Sequence, residues 1–162
     1  MSLASVRAFF ASKQLDIPII ELSTSTATVA LAAAAHGVEA GRIAKTLAFR
    51  TASNEVVILV TRGDARIDNR KFKEIFGKGK MLPPDEVETI TGHPVGGVCP
   101  FALATPLPVY LDVSLQAFDE VLPAAGGIHT AVRLSPQTLA QLVNGCWVDV
   151  CGQIAPAATL SP

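Results

Sequence analysis

Between Gly92 and Pro100 the chain reads Gly-His-Pro-Val-Gly-Gly-Val-Cys-Pro, with three glycines and two prolines in nine residues. Glycine accepts positive φ and leaves its peptide N–H uncovered, while proline continues neither a helix nor a ladder. A rigid loop with exposed amides follows, with Gly96, Gly97 and Val98 as candidate donors to an anion, a phosphate or a carbonyl oxygen gaining charge. The same composition also serves tight surface connections. A rival chemistry uses Cys99 as an acyl-transfer nucleophile with His93 or His129 as its base. No third orienting group is evident for it, and free cysteines more often serve packing.

Charge supplies the second clue. The net charge of the 162 residues is −1, yet ten of the thirteen basic residues lie between Arg42 and Lys80 against four acids. That segment carries +6 and the remainder −7. Such asymmetry points to a basic face for a polyanion, with Arg66, Arg70, Lys71 and Lys73 as its candidates; the bland reading is a solvated surface. Cys99, Cys146 and Cys151 are an odd number at spacings unlike a zinc pattern, and His36, His93 and His129 are scattered, so neither a metal nor another cofactor is expected. No apolar run is long enough for a bilayer and no secretory signal is read at the N-terminus, so no membrane association and a cytoplasmic location are expected.

These residues need elements to hold them. A helix capped by Ser2 carries Val6, Phe9 and Phe10 on one face, and a short strand spans 17–22. An alanine-rich helix over 27–36 ends at Gly37, with His36 read as a residue facing the helix dipole. Strands over 45–51 and 55–61 form a hairpin, with Lys45 at the entry of the first. Asp68 caps a helix over 69–76 that displays the basic side chains, and Pro84 opens another that Gly92 closes. Strands are expected over 107–113, 118–122, 129–134 and 147–150, with a helix starting at Ser135-Pro136 and stopping at Asn144-Gly145. Trp147 reads as core, and Arg133 has no assigned role. The fold expected is α+β, a single domain over 1–151 with a mixed, largely antiparallel sheet flanked by short helices; 152–162 is expected to be a loose tail.

Lys45-Thr46-Leu47 opening a strand, Thr91-Gly92 with Gly96-Gly97 and Pro100, Leu107-Pro108 with Asp112, and Gly126-Gly127 ahead of Ser135-Pro136 together resemble the YbaK/ProX aminoacyl-tRNA deacylase family. That family is related to the editing insertion of bacterial prolyl-tRNA synthetases, and the resemblance covers roughly residues 15–150. It implies a free-standing trans-editing factor that hydrolyses the ester between a wrong amino acid and the 3′ adenosine of a tRNA, most often that for proline. It also implies no metal and no enzyme-bound acyl intermediate. Lys45 is then the anchor of the terminal adenosine or its phosphate, and the loop from Gly96 to Pro100 surrounds the scissile ester. Thr46, Gly92, Cys99, Pro100 and Gly127 are the neighbouring substrate contacts. His129 either orients water or the ribose, or simply begins a strand.

Two departures leave the amino acid open. Thr46 matches cysteine-directed members, whereas alanine-directed members carry Asn there. Ile128-His129-Thr130 replaces the more charged segment of cysteine-directed members. Cysteine, alanine or a similarly small residue all remain candidates, as does a synthetase partner. The chemistry is physically coherent, because an activated ester needs mainly a positioned water, donors at the carbonyl oxygen and a fixed substrate. A proline pocket cannot strongly reject smaller residues, since one methylene is worth only about 1–3 kcal/mol. The non-enzymatic alternative is a binding module for tRNA ends or another nucleic acid.

Overall fold

Runs of β-branched and aliphatic residues on either side of Ala52-Ser53-Asn54 build the centre of the molecule, and short capped helices close over both faces. The structure is a computed structural model and describes residues 2–152, without the side chain of Ser2. The cap expected at Ser2 and, apart from Gly152, the tail expected over 152–162 thus lie outside what is described. In chain order the elements are α1 (Ser2–Ser12), β1 (Ile20–Glu21), α2 (Val29–His36), β2 (Ile43–Arg50), β3 (Val56–Arg62), α3 (Asn69–Phe76) and β4 (Lys80–Met81). Then come α4 (Pro84–Thr91), β5 (Val109–Asp112), β6 (Leu122–Pro123), β7 (Thr130–Ala131), α5 (Pro136–Val143) and β8 (Cys146–Val148).

The main sheet has the order β4-β2-β3-β5-β8, with β6 also on β2. Its longest ladder is the antiparallel β2–β3 hairpin, in register from Ala44↔Arg62 to Arg50↔Val56. The sheet is mixed, as expected, because β5 joins β3 and β8 joins β5 in parallel. β1 and β7 pair separately, antiparallel. The expected strand over 118–122 is largely absent. A 3-10 helix over Val113–Ala117 precedes it, started by the Asp112 side chain accepting from the Ser114 N–H at 2.9 Å; residues 118–119 form a bend, and pairing resumes at the Val121–Leu134 bridge and β6. β4 was not expected; it is two residues long and held against Phe49 and Arg50.

Alternation along β2 divides the core. Ala44 and Ala48 face a cluster with Val6, Phe10, Cys99, Phe101 and Leu111. Leu47 and Phe49 face the other side, where Phe72 of α3 lies 4.8 Å from the Phe49 ring. Helix ends follow their sequence signals. Asp68 accepts from the N–H groups of Arg70 and Lys71, and Ser135 from that of Thr138, while Gly37 and Asn144 take left-handed conformations at the C-caps; α2 differs in starting two residues later than expected, capped by Thr28, which accepts from the Leu31 N–H, rather than by a residue of Ser23 to Thr26.

Candidate active site

The edge of β2 away from β3 is only partly covered. β6 pairs with Ile43 and Ala44 at one end and β4 with Phe49 and Arg50 at the other. Between them opens a cavity of about 370 Å³ lined by every β2 residue from Ile43 to Ala48. Consecutive strand residues point to opposite faces, so a cavity touching all six runs along the edge itself. Backbone direction follows from the Ala48 carbonyl, which accepts from the Leu82 N–H at 3.0 Å and so points away from β3. Alternation by two then sends the N–H and C=O of Thr46 outward as well, into the gap, with no strand opposite. The opening of the cavity lies at Met81 and Val95, which line it yet are 59% and 57% exposed.

The glycine loop forms another wall through Val95, Gly96 and Val98. The Gly97 N–H donates to the Pro94 carbonyl at 2.9 Å, closing a turn in which Gly96 has φ 89°. Only glycine takes that conformation without strain. The Gly97 amide is therefore spent on the turn, and those of Gly96 and Val98 remain as donors without partners among the described residues. Gly97 serves another purpose. A Cβ there would stand 2.9 Å from the Gly127 carbonyl carbon and 3.0 Å from its nitrogen, so the two glycine loops touch backbone to backbone.

Lys45 lies in the cavity wall, on the α3 side of the sheet with Leu47 and Phe49. It is half-buried rather than a loose surface lysine, and its Nζ donates to the Ala65 carbonyl at 2.6 Å. Burial lowers its pKa, opposed by nearby Cys151 and Asp64 and reinforced by Arg66. Thr46 shares the cavity, and its Oγ1 is buried without a hydrogen-bond partner, as is Nε2 of His36.

Other expected residues stand elsewhere. Cys99 is fully buried beneath the loop, and desolvation pushes its thiol up to about 12. Its Sγ does lie 3.5 Å from His93 Nε2. That nitrogen is 2.7 Å from the Phe101 carbonyl, an acceptor only, so it carries the proton and cannot take one from the thiol. The pair therefore packs the loop from below and lacks both the thiolate and the access a nucleophile needs. Pro100 is buried beside it, and Gly92 is the left-handed C-cap of α4. His129 does not line the cavity, with Nδ1 3.0 Å from the Thr24 carbonyl, and Gly127 stands behind its wall, where its N–H donates to Oγ1 of the lining residue Thr130 at 3.0 Å.

The basic segment is less uniformly free than its composition indicates. Arg42, Arg50, Arg62 and Lys71 are paired with Asp119 and Glu39, Glu86, Asp64, and Asp149 respectively. The Asp149 hydrogen bond raises the Lys71 pKa, and the same ammonium donates to the Cys151 carbonyl. Arg66, Arg70, Lys73, Lys78 and Lys80 have no ion pair among the described residues. α3 itself covers the sheet face opposite the buried cluster that holds Cys99 and Phe101. Arg66 lies near enough to Lys45 to help lower its pKa.

What the sequence missed is the α2 wall, where Val29, Ala32 and His36 recur at spacings of three and four, and the gap beside Thr46. The first was legible as a helix face; the second depends on which strands reach β2. Among the described residues no helix is long and apolar enough to cross a membrane, and no group of three or more His, Cys, Asp or Glu is placed to hold a metal ion.

Known proteins resemble this chain in sequence and in fold. The model of the aminoacyl-tRNA editing domain matches residues 23–142. The protein YwhH of Bacillus subtilis is 47% identical over 153 residues, covering 93% of this chain and 98% of that one. A protein of Enterococcus faecalis named "Putative Cys-tRNA(Pro)/Cys-tRNA(Cys) deacylase EbsC" is 29% identical over 116 residues, 70% of this chain and 71% of its own. A crystal structure described as "a putative trans-editing enzyme for prolyl tRNA synthetase" superposes with a TM-score of 0.86 at 31% identity, covering 94% of this chain and 98% of the other.

Proposed function

Because the chain belongs to the aminoacyl-tRNA editing domain family, we propose that it is a free-standing aminoacyl-tRNA deacylase that hydrolyses the ester of a small wrong amino acid on tRNA, that for proline foremost. The observation that carries this reading is the cavity along the open edge of β2, whose wall includes Gly96, Val98 and Lys45. Water adds to the ester carbonyl carbon, negative charge develops on its oxygen, and collapse releases the free amino acid and the 3′ nucleotide hydroxyl. Amides fixed by the Pro94–Gly97 turn are positioned donors for that oxygen and cost no reorganisation as the charge forms. Lys45, tethered by Ala65, supplies a positive charge at a set position for the phosphate or ribose of the terminal nucleotide.

The cavity walls include Ala27, Ala32, Ala44, Ala48, Ala124 and Ala131, whose short side chains leave about 370 Å³ for the acyl group and the ribose that carries it. The Enterococcus relative's name supports cysteine as the first amino acid to test, and alanine as the second. The tRNA body is met by Arg66, Arg70 and Lys73, and a synthetase that hands over its mischarged product is the partner this role implies. Charged tRNA as the substrate supports a cytoplasmic location. The test is a panel of mischarged tRNAs incubated with the purified protein, with loss of the ester bond followed over time. Faster release of Cys or Ala than of Pro from tRNA for proline is the expected outcome. Binding without turnover of every tested ester would instead make the chain a tRNA-binding module.

A further inference from the structure

The Ala65 carbonyl tethers the Lys45 ammonium, so whatever fixes Ala65 also fixes the anchor. That support lies outside the cavity. Residues 65–68 run beside residues 150–152 as a short ribbon in which Ile67 bridges Cys151. The Asp68 N–H donates to the Val150 carbonyl at 2.8 Å, and the Gly152 N–H to the Arg66 carbonyl at 2.9 Å. Lys71 adds a further tie from its Nζ to the Cys151 carbonyl at 3.1 Å.

The ribbon in turn rests on one buried carboxylate. Asp112, at the end of β5, is 1% exposed. Its Oδ1 accepts from the N–H groups of Val150 at 2.8 Å and Cys151 at 3.2 Å, and its Oδ2 from that of Ser114 at 2.9 Å. It takes part in none of the ion pairs among the described residues. A carboxylate out of water is costly unless hydrogen bonds satisfy it, and bonds to a charged acceptor are roughly twice as strong as neutral ones. Three backbone N–H groups are therefore held firmly in place.

Asp112 and Lys45 share a face of the sheet. Ala44 and Leu111 face the Cys99 cluster, so their neighbours Lys45 and Asp112 face the α3 side. The pairs Lys45↔Thr61 and Val60↔Leu111 set the two residues two strands apart, about 10 Å at the usual strand spacing. Thr61 between them spends its hydroxyl on the Arg62 carbonyl. Burial first, and then Asp112, push the Cys151 thiol up to about 12, so it offers Lys45 no charge at pH 7. The connection between carboxylate and ammonium runs through the ribbon. We propose that Asp112 is a positioning residue for deacylation, which clamps residues 150–152 and so fixes the Ala65 carbonyl and the place where the Lys45 ammonium meets the 3′ nucleotide. The assignment rests on the deacylase reading for its effect on rate.

A double-mutant cycle separates this role from a merely structural one. Asp112→Ala should slow single-turnover hydrolysis of cysteine- or alanine-charged tRNA for proline by about 10–10², the scale of a small misplacement made far from the chemistry. In a Lys45→Ala background the same change should cost less than about threefold, because the anchor it positions is already gone. Asp112→Asn keeps an oxygen for Val150 and Cys151, gives up only the Ser114 bond, and should restore most of the rate. Gly152→Pro breaks the ribbon elsewhere by deleting the N–H that Arg66 accepts, and a Cβ there would meet only that carbonyl, at 3.9 Å. It should repeat both results, and it keeps the test open if Asp112→Ala does not fold. Lys45 is also read without substrate, by NMR of its side-chain ammonium, whose protons should exchange with water about tenfold faster in Asp112→Ala and Gly152→Pro once the Ala65 carbonyl shifts. Equal losses of rate in both backgrounds overturn the proposal, as do folded variants that keep the parent rate and Lys45 signal. Asp112→Asn as slow as Asp112→Ala also overturns it, since charge rather than the clamp would then be the cause. A protein whose Lys45 signal responds as expected but which hydrolyses no ester would sink the deacylase reading and leave the clamp standing.

Discussion

Gly97→Ala adds one methyl group where two backbones touch. Its Cβ would lie 2.9, 3.0 and 3.1 Å from the carbonyl carbon, nitrogen and Cα of Gly127, all of them backbone atoms that cannot rotate aside. Ordinary contact begins near 3.4 Å, so the loops must part by about half an ångström. Overpacking of this kind costs about 1–3 kcal/mol, or roughly 2–4 °C of Tm for each kcal/mol in a chain this long. The larger effect should be on rate. The displaced segment carries the Gly96 and Val98 amides, and removal of one oxyanion donor typically costs ~10²–10³ in kcat. A shift rather than a removal should cost about 10–10², with KM little changed. Single-turnover hydrolysis of mischarged tRNA measures the rate, and thermal melts measure stability. Gly145→Ala is the control, because its Cβ would collide with Leu111 Cδ1 in the core away from the cavity. It should lose stability and keep its rate. A Gly97→Ala protein that hydrolyses at the parent rate would refute the placement of the donors.

The free and paired cations separate in a second test. Neutralising Arg66, Arg70 and Lys73 together should weaken tRNA binding and reduce its salt slope by about 2–3, whereas Lys71→Ala, already paired with Asp149, should change the slope little. Filter binding across salt concentrations decides it, and an unchanged slope in the triple variant removes α3 from the interface. Cys99→Ala should retain hydrolysis within about tenfold, since loss of a covalent nucleophile costs several orders of magnitude; a trapped thioester in the parent would overturn this. Burial lowers the pKa of both His36 and His93. The unfolded chain therefore binds their protons more readily, and stability should rise with pH from their lowered folded values up to about 6.5, then level off. Urea titrations should show that rise, diminished in His36→Gln; an identical pH profile in the variant would contradict it.

Local signals in the sequence marked most of the elements. Asp68, Ser135-Pro136, Gly37 and Asn144 act within one helical turn, and the β2–β3 hairpin follows from two apolar runs and a short link, so each could be read from neighbours alone. The 3-10 helix after Asp112 was missed because one side-chain cap outweighs the β-rich pattern around it. The candidate site was legible as residue types and less so as an arrangement. Gly96 and Lys45 stood out, but Gly97 turned out to be shaped by Gly127, thirty residues away. The pairing of Lys71 with Asp149 crosses 78 positions, and no charge count could show it. The gap beside Thr46 exists only because β4 and β6 each cover two residues of β2, and His36 acquires its environment from β2, β6 and Arg133. Interactions at that range are set by tertiary packing, which periodicity does not record.

Lys45→Ala tests the central claim most directly. The change leaves the Ala65 carbonyl without its partner, a loss of about 0.5–1.5 kcal/mol that the fold should survive and circular dichroism can confirm. In single-turnover hydrolysis of cysteine- or alanine-charged tRNA for proline, the folded variant should be at least a hundredfold slower than the parent, because a misplaced ester loses the orientation that hydrolysis needs. A folded Lys45→Ala protein that releases the amino acid at the parent rate would contradict the account.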